Sequence, residues 1–150
     1  MKPRSVVRSE VEKFPPVVWN AFIDLIGMEK YEDLSEDQRP AHLVFKYDVE
    51  VYNGGHDQYF HNRGVKHLSE TLTALTQLGA VCQHTVLREA ADRFFGRPRE
   101  NARSLSEFVA QAQEREYSDL DARIDACSPS LHEHLEDHLN RNQSIFVVIT

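Results

Sequence analysis

Apolar residues recur every three or four positions along most of the chain, which is the spacing of α-helices that bury one face. The apolar stripes cover residues 18–26, 41–51, 65–78, 81–94, 105–112, 120–124 and 131–139. In the fifth stripe, the inward positions are expected to be Leu105, Phe108, Val109 and Ala112. The pattern predicts an all-α fold, a compact single-domain bundle of about six to eight helices.

Residues that begin and end helices lie at the borders of these stripes. Pro16 suits a helix start, because the first turn does not need the N–H that proline lacks. Ser35 and Gln38 have the spacing of a capping box at the start of the second helix. Gly79 and Gly96 follow the last apolar positions of two stripes, where glycine commonly ends a helix.

The segment around residues 49–54 allows two interpretations. Val49, Val51 and Tyr52 before Asn53 and Gly54 resemble a strand that enters a hairpin turn. The helical stripe runs unbroken from residue 41, however, and no alternating partner strand follows. We therefore expect a helix that ends in a left-handed cap at Asn53 and Gly54, followed by a short helical piece at residues 58–60.

The two ends of the chain, residues 1–14 and 145–150, are expected to be extensions of a core at about 19–139, within one domain of 1–150. Residues 145–149 are apolar and β-prone, so this tail is expected to pack on the core. The alternatives are pairing with a second copy in a homodimer, or aggregation.

Composition excludes several classes of protein. Hydrophobic residues make up 41% and charged residues 27%, which is typical of a globular protein. The net charge of −7 argues against direct binding of nucleic acid. The sequence contains no apolar leader and no membrane-length run, so a cytoplasmic protein is expected, with Cys82 and Cys127 as buried free thiols.

Acidic residues are concentrated before the second long helix. Four of them form what we call the acidic loop: Glu32, Asp33, Glu36 and Asp37. Spaced carboxylates of this kind are either a solvated connection or a docking surface for a basic protein partner.

A dense polar cluster surrounds the Asn-Gly-Gly sequence at 53–55. Its members are Glu50, Asn53, His56, Asp57, Gln58, His61 and Asn62, interleaved with Tyr52, Tyr59 and Phe60. Glu50, Asp57 and His61 could ligate a metal, and the whole cluster could form a polar ligand pocket. The favoured interpretation is a tight turn in which Glu50, Asn53 and Gln58 bond to backbone groups at the helix ends.

We find no catalytic motif in the sequence. His134 and His138 have the spacing of helical zinc ligands, but the glutamate that follows the first histidine in zincins is replaced by Leu135. A solvated acidic face is expected there, with His132 on it. No Gly-x-Ser-x-Gly elbow and no phosphate-binding loop occurs. We expect a protein without enzymatic activity, cofactor or metal.

The segment 50–62, EVYNGGHDQYFHN, resembles a bacterial family named after DNA mimic protein nineteen. The resemblance runs from about residue 19 to 139. It is carried by the signature residues Glu50, Asn53, Gly54, Gly55, Gln58, Tyr59 and Phe60. The sequence departs from the family at His56, where an aromatic or apolar residue is expected.

This resemblance implies a compact helical bundle that presents acidic side chains to a DNA-binding transcription regulator. The leading hypothesis is thus an intracellular, non-enzymatic protein-binding protein that contacts its partner through the acidic loop. A small-molecule or metal site at the Asn-Gly-Gly turn is one alternative. An immunity-type or structural interaction protein is the other.

Overall fold

Helices dominate the computed structural model, which describes residues 1–96, 104–112 and 115–150. The helices are α1 (Arg8–Lys13), α2 (Val17–Met28), α3 (Arg39–Arg63), α4 (Leu68–Gln77), α5 (Val81–Phe95), α6 (Leu105–Ala112), α7 (Ser118–Ala126), α8 (Leu131–Arg141) and α9 (Gln143–Phe146). A 3₁₀ turn at Tyr31–Asp33 precedes α3, and strands β1 (Arg4–Val6) and β2 (Val147–Ile149) form one parallel pair. The prediction of an all-α bundle is confirmed. In the described ranges, no helix has the length and apolar character of a membrane span.

Helix α3 is central and packs against α2, α4, α7 and α8. The stripes that predict α2 and α8 face the core: Phe22 and Leu25 are fully buried, and Leu135 is 1% exposed. One apolar cluster continues from Val6 near the start to Val147 near the end. Burying a large apolar side chain contributes about 1.5–3 kcal/mol, so these stripes supply the main force that holds the helices together.

Several helix ends have the predicted chemistry. The N–H of Ala80 donates to Leu75 O (2.8 Å) and that of Gly79 to Thr76 O (3.0 Å), with Gly79 at φ +77°. This is a Schellman motif, and it confirms the end predicted for α4. At the start of α3, the backbone N–H of Ser35 donates to Gln38 Oε1 (3.1 Å), which is one half of the predicted capping box.

Two predicted inward positions of α6 are wrong. Leu105 is 78% exposed and Val109 44% exposed, while the side chains of Phe108 and Ala112 lie outside the described part of the chain. Apolar spacing identifies a face of a helix, but it does not supply a neighbouring element that covers that face.

The two chain ends meet in the small sheet. Arg4 pairs with Val147 and Val6 with Ile149, and Phe146 and Val147 are almost completely buried. The tail therefore packs on the core, as expected. The first residues also belong to the fold, because the Arg4 guanidinium bonds to Asp24 on α2 at 2.7 Å.

The prediction of free thiols is wrong. Cys82 at the start of α5 and Cys127 just after α7 form a disulfide, with Cα atoms 5.8 Å apart. Cys82 is exposed and Cys127 is buried. The sequence interval of 45 residues gives no sign of the pairing, which arises because α5 packs against α7.

Candidate functional site

Helix α3 consists of two helical segments joined at the Asn-Gly-Gly sequence. Its backbone leaves the helical region only at Gly54 (φ −159°, ψ 19°) and Gly55 (φ 71°, ψ −170°). The preference for helix over a hairpin is thus confirmed. The left-handed position is Gly55, however, and not Asn53 or Gly54 as predicted. The kink turns the second segment, which carries Tyr59 and Phe60.

A polar network centred on the buried His56 ring holds this kink. Asp121 Oδ1 on α7 accepts hydrogen bonds from the His56 backbone N–H (3.0 Å) and from its ring Nδ1–H (2.6 Å). The opposite ring atom, Nε2, lies 2.8 Å from the Tyr47 hydroxyl. With neutral His56, the Tyr47 hydroxyl donates to Nε2. One imidazole therefore links both segments of α3 to α7.

The order of carboxylate, imidazole and hydroxyl resembles a catalytic relay, but its location does not suit catalysis. His56 and Tyr47 are both 0% exposed, so no substrate can reach the hydroxyl. Burial, followed by electrostatic interaction with Tyr59 and then with Asp121, raises the pKa of Tyr47 well above its ordinary value. The phenol stays protonated and acts as a hydrogen-bond donor inside the core.

Glu50 forms a second link across the kink. Its Oε2 accepts hydrogen bonds from Gln58 Nε2 (2.9 Å) and Asn62 Nδ2 (2.8 Å). Arg63 Nε lies 3.6 Å from the other carboxylate oxygen. Because the Glu50 side chain is only 12% exposed, these three donors compensate for much of its lost hydration. We call these contacts and the His56 network together the kink brace.

The favoured sequence interpretation, a structural turn, is therefore correct in kind but wrong in detail. Glu50 and Gln58 bond to each other instead of to backbone groups, and Asn53 is exposed. The aromatic pair belongs to the core: Tyr59 contacts Tyr47 edge-on at 5.0 Å and Phe60 stacks on Phe94 at 4.5 Å.

The histidines do not form a metal centre in the part of the chain that the structure describes. There, no group of three or more His, Cys, Asp or Glu side chains is placed to hold an ion. His132 bonds to Glu136 (2.8 Å) and packs on Trp19 (4.6 Å between ring centroids). His138 contacts Phe146, and burial lowers its pKa.

The acidic loop lies on the surface, and all four carboxylates are exposed. Glu32 is 3.7 Å from Lys66 Nζ. Within the described ranges, the side chains of Asp33, Glu36 and Asp37 have no hydrogen bond or ion pair. A bond from its own backbone N–H and the charge of Lys66 hold the pKa of Glu32 below its ordinary value.

Two residues fix the backbone of this loop. The Arg39 guanidinium donates to Tyr31 O (3.1 Å) and lies 4.6 Å from the centroid of the Tyr31 ring. Gln38, which is 1% exposed, donates to Ile145 O (2.9 Å) while it accepts from Ser35. The loop is therefore anchored to the C-terminal tail, and its carboxylates project from a fixed backbone.

Sequence reasoning missed the residues that organise both regions. Asp121 is 65 positions from His56, and its stretch carries no motif. Tyr47 is recognisable only as a core position of the stripe. Gln38 is recognisable as a cap, but its bond to the tail requires the tertiary fold.

Asp121→Ala is expected to lower the free energy of unfolding by about 2–3 kcal/mol, because it removes two hydrogen bonds to a carboxylate and leaves the buried His56 ring short of an acceptor. Denaturant unfolding measures the loss. The control is Asp125→Ala: Asp125 lies exposed on the same helix, so its loss should change the free energy of unfolding by less than about 0.5 kcal/mol. Equal losses of stability in the two variants would show that the contacts of Asp121 with His56 do not stabilise the fold.

Fold and brace together define a helical domain whose broken central helix is held by polar side chains of its own two segments and of α7. A family model described as DMP19-like protein matches residues 32–142, most of the chain. The chain belongs to this family, as the resemblance at 50–62 predicts. The family match begins at residue 32, however, and not at about residue 19 as the resemblance suggests. No curated protein and no solved structure matches the chain.

Proposed function

We propose that this protein is a non-enzymatic binding protein that docks onto a basic, DNA-binding regulatory protein through the acidic loop. The observation that carries the proposal is the set of three exposed carboxylates, Asp33, Glu36 and Asp37, without partners among the described residues. Unpaired carboxylates are free to replace the phosphates that a DNA-binding surface attracts.

The fixed backbone of the loop supports the same role. Arg39 and Gln38 anchor the loop through hydrogen bonds to the main-chain carbonyls of Tyr31 and Ile145 and leave the carboxylates outside. A surface that is already ordered loses less conformational entropy when it binds. The family name also points to DNA mimicry.

Two further observations support a binding role over catalysis. The polar side chains of this segment that could do chemistry, Glu50, His56 and Gln58, are occupied in the kink brace. The chain as a whole carries 24 acidic against 17 basic residues, a balance that favours association with a basic partner and makes it sensitive to salt.

We place the proposed role in the cytoplasm, where a DNA-binding regulator of a bacterial cell is found. Disulfides are more typical of oxidising compartments. The proposal therefore implies that Cys82 and Cys127 are largely reduced in the cell and that the reduced protein is the binding form.

The test compares three immobilised baits: the natural protein, Asp33→Asn/Glu36→Gln/Asp37→Asn, and a control with the same charge change, Glu10→Gln/Glu12→Gln/Asp125→Asn. The control residues are exposed and lie on α1 and α7. We expect the natural bait to retain a basic DNA-binding protein at low salt and release it at high salt. Affinity for that protein should fall about tenfold in the loop variant, since exposed charges contribute about 0.2–1 kcal/mol each.

The control bait should retain the partner nearly as well as the natural protein. DNA that carries the partner's binding site should compete with all three baits. Retention that is unaffected by the loop substitutions, or that falls equally in the control, would show that the acidic loop is not the docking surface.

A further inference from the structure

A cleft of about 450 Å³ opens between the end of α2, the 3₁₀ turn that follows it, both segments of α3 and the start of α4. Its size is within the range of about 300–1,000 Å³ found for small-molecule sites. In a protein with net charge −7, its wall is unusual because basic residues outnumber acidic ones. The charged residues that line it are Lys30, Lys46, Arg63 and Lys66 against Glu29 and Glu32.

The two acidic residues do not cancel this excess at the cleft. The Glu29 carboxylate accepts a 2.6 Å hydrogen bond from Arg4, which lies outside the lining. Glu32 Oε1 is 3.7 Å from Lys66 Nζ, and both side chains are mostly exposed. Arg63 likewise has a partner outside the lining, since its Nε lies 3.6 Å from Glu50. The outside partners Arg4 and Glu50 balance each other, so the formal excess stays at two positive charges, from four cations and two anions in the lining.

Two basic side chains with fixed positions form part of the inner wall, beside Leu43 and Tyr59. His42 Nδ1–H donates to Ile26 O (2.7 Å) and Lys46 Nζ donates to Gly27 O (2.7 Å), so both cap the last turn of α2. Burial lowers the pKa of Lys46 and the charge of Arg63 lowers it further, while the charge of Glu50 raises it. The cations thus repel one another, and an anion bound between them would relieve this repulsion.

The start of α4 contributes an unused polar group. His67 Nδ1 is buried and has no hydrogen-bond partner in the described part of the chain, and the ring is packed on Tyr31 with centroids 4.0 Å apart. His67 is the N-cap residue of α4 and lines the cleft together with Thr71. A helix N-terminus carries a partial positive charge that favours anions.

We propose that this cleft binds a small organic phosphate. The phosphate is held by Arg63, Lys66 and His67, and the organic part lies against Leu43 and Tyr59 on the inner wall. A phosphomonoester carries about −1.5 to −2 charges at neutral pH, which matches the excess of two cations better than a single carboxylate does. Of the four residues of the acidic loop, only Glu32 also lines the cleft.

The experiment is an NMR titration of the ¹⁵N-labelled protein with phenyl phosphate at constant ionic strength, with benzoate as the carboxylate of similar shape. We expect saturable shifts at Gly64, Lys66, His67 and Thr71, and binding of phenyl phosphate at least about tenfold tighter than that of benzoate, since charge-assisted bonds to a second anionic charge are lost. No saturable shift at these residues, or equal binding of benzoate, would overturn the proposal.

Single substitutions locate the site. Lys66→Gln and Arg63→Gln should each weaken binding of phenyl phosphate about tenfold. The Lys66 side chain is 74% exposed, so this variant should keep its fold, which its spectrum reports directly. The matched controls Lys13→Gln and Arg88→Gln remove one exposed charge elsewhere and should bind normally. Equal weakening in the controls would show a general effect of net charge and would refute the proposed phosphate site in the cleft.

Discussion

Gly55→Ala is expected to lower the free energy of unfolding by about 3–5 kcal/mol, as measured by denaturant unfolding. Gly55 has φ 71° and ψ −170°, a region that costs other residues about 1–3 kcal/mol. In addition, an added Cβ would lie 2.9 Å from Asp121 Cγ. The carboxylate would have to move away from His56, with a further loss of about 1.5–3 kcal/mol for its hydrogen bonds.

Gly64→Ala is the matched control for this experiment. Gly64 also has a positive φ and an extended ψ (58°, −139°), but an added Cβ there meets no atom within 4 Å. Its substitution should therefore show backbone strain alone. If Gly55→Ala and Gly64→Ala destabilise the protein equally, the close approach of Gly55 to Asp121 is not important.

The same close approach predicts a coupling between two substitutions. Combined with Asp121→Ala, the Gly55→Ala change no longer meets a carboxylate. The loss in the double variant should be smaller than the sum of the single losses, by about 1–2 kcal/mol, because contacting residues are not independent.

The helices were largely predictable because local periodicity determines them. Leu131, Leu135 and Leu139 recur every four residues and are all buried on α8. Gly79 has the backbone conformation that its place after the last turn of α4 predicts. In both cases, the information lies within a few residues of the element itself.

The kink brace was not predictable, because its key contact joins residues that are distant in sequence. At His56, where the resemblance leads us to expect an aromatic or apolar residue, the structure accommodates a polar side chain because Asp121 and Tyr47 provide partners for both ring nitrogens. Spacing alone could not show whether Glu50 faces a cleft or the other half of its own helix. The resemblance gave the family, but it did not give the direction of these side chains.

Glu50 and Gln58 serve the kink brace, and Tyr59 and Phe60 belong to the core. The two binding surfaces that we propose therefore lie largely outside the signature, on the surface around it. The acidic loop and the cationic cleft are neighbours there, connected by the pair Glu32 and Lys66. An anion that binds Lys66 would withdraw it from Glu32 and leave a fourth unpaired carboxylate in the acidic loop. The two proposed surfaces are therefore adjacent, although each is tested separately.

The second large expected effect is the loss of stability when the disulfide between Cys82 and Cys127 is broken. The bond joins residues 45 positions apart, and a loop of that length corresponds to about 4 kcal/mol of lost conformational entropy in the unfolded chain. The thermal unfolding midpoint of Cys82→Ser/Cys127→Ser should therefore be about 10 °C lower than that of the disulfide-bonded protein. Wild-type protein with a reductant is the control that keeps both sulfur atoms, and it should show nearly the same loss.

The reduced protein should nevertheless keep its fold, because the ends of α5 and α7 are held by other contacts as well. Gln83 is 1% exposed and donates to Pro129 O at 2.7 Å, and Leu120 is fully buried. Circular dichroism of the reduced form should show the same helix content before unfolding. An unchanged midpoint after reduction would mean that the disulfide does not restrict the unfolded chain, whereas loss of helix content at 25 °C would mean that the apolar core alone cannot hold α5 against α7.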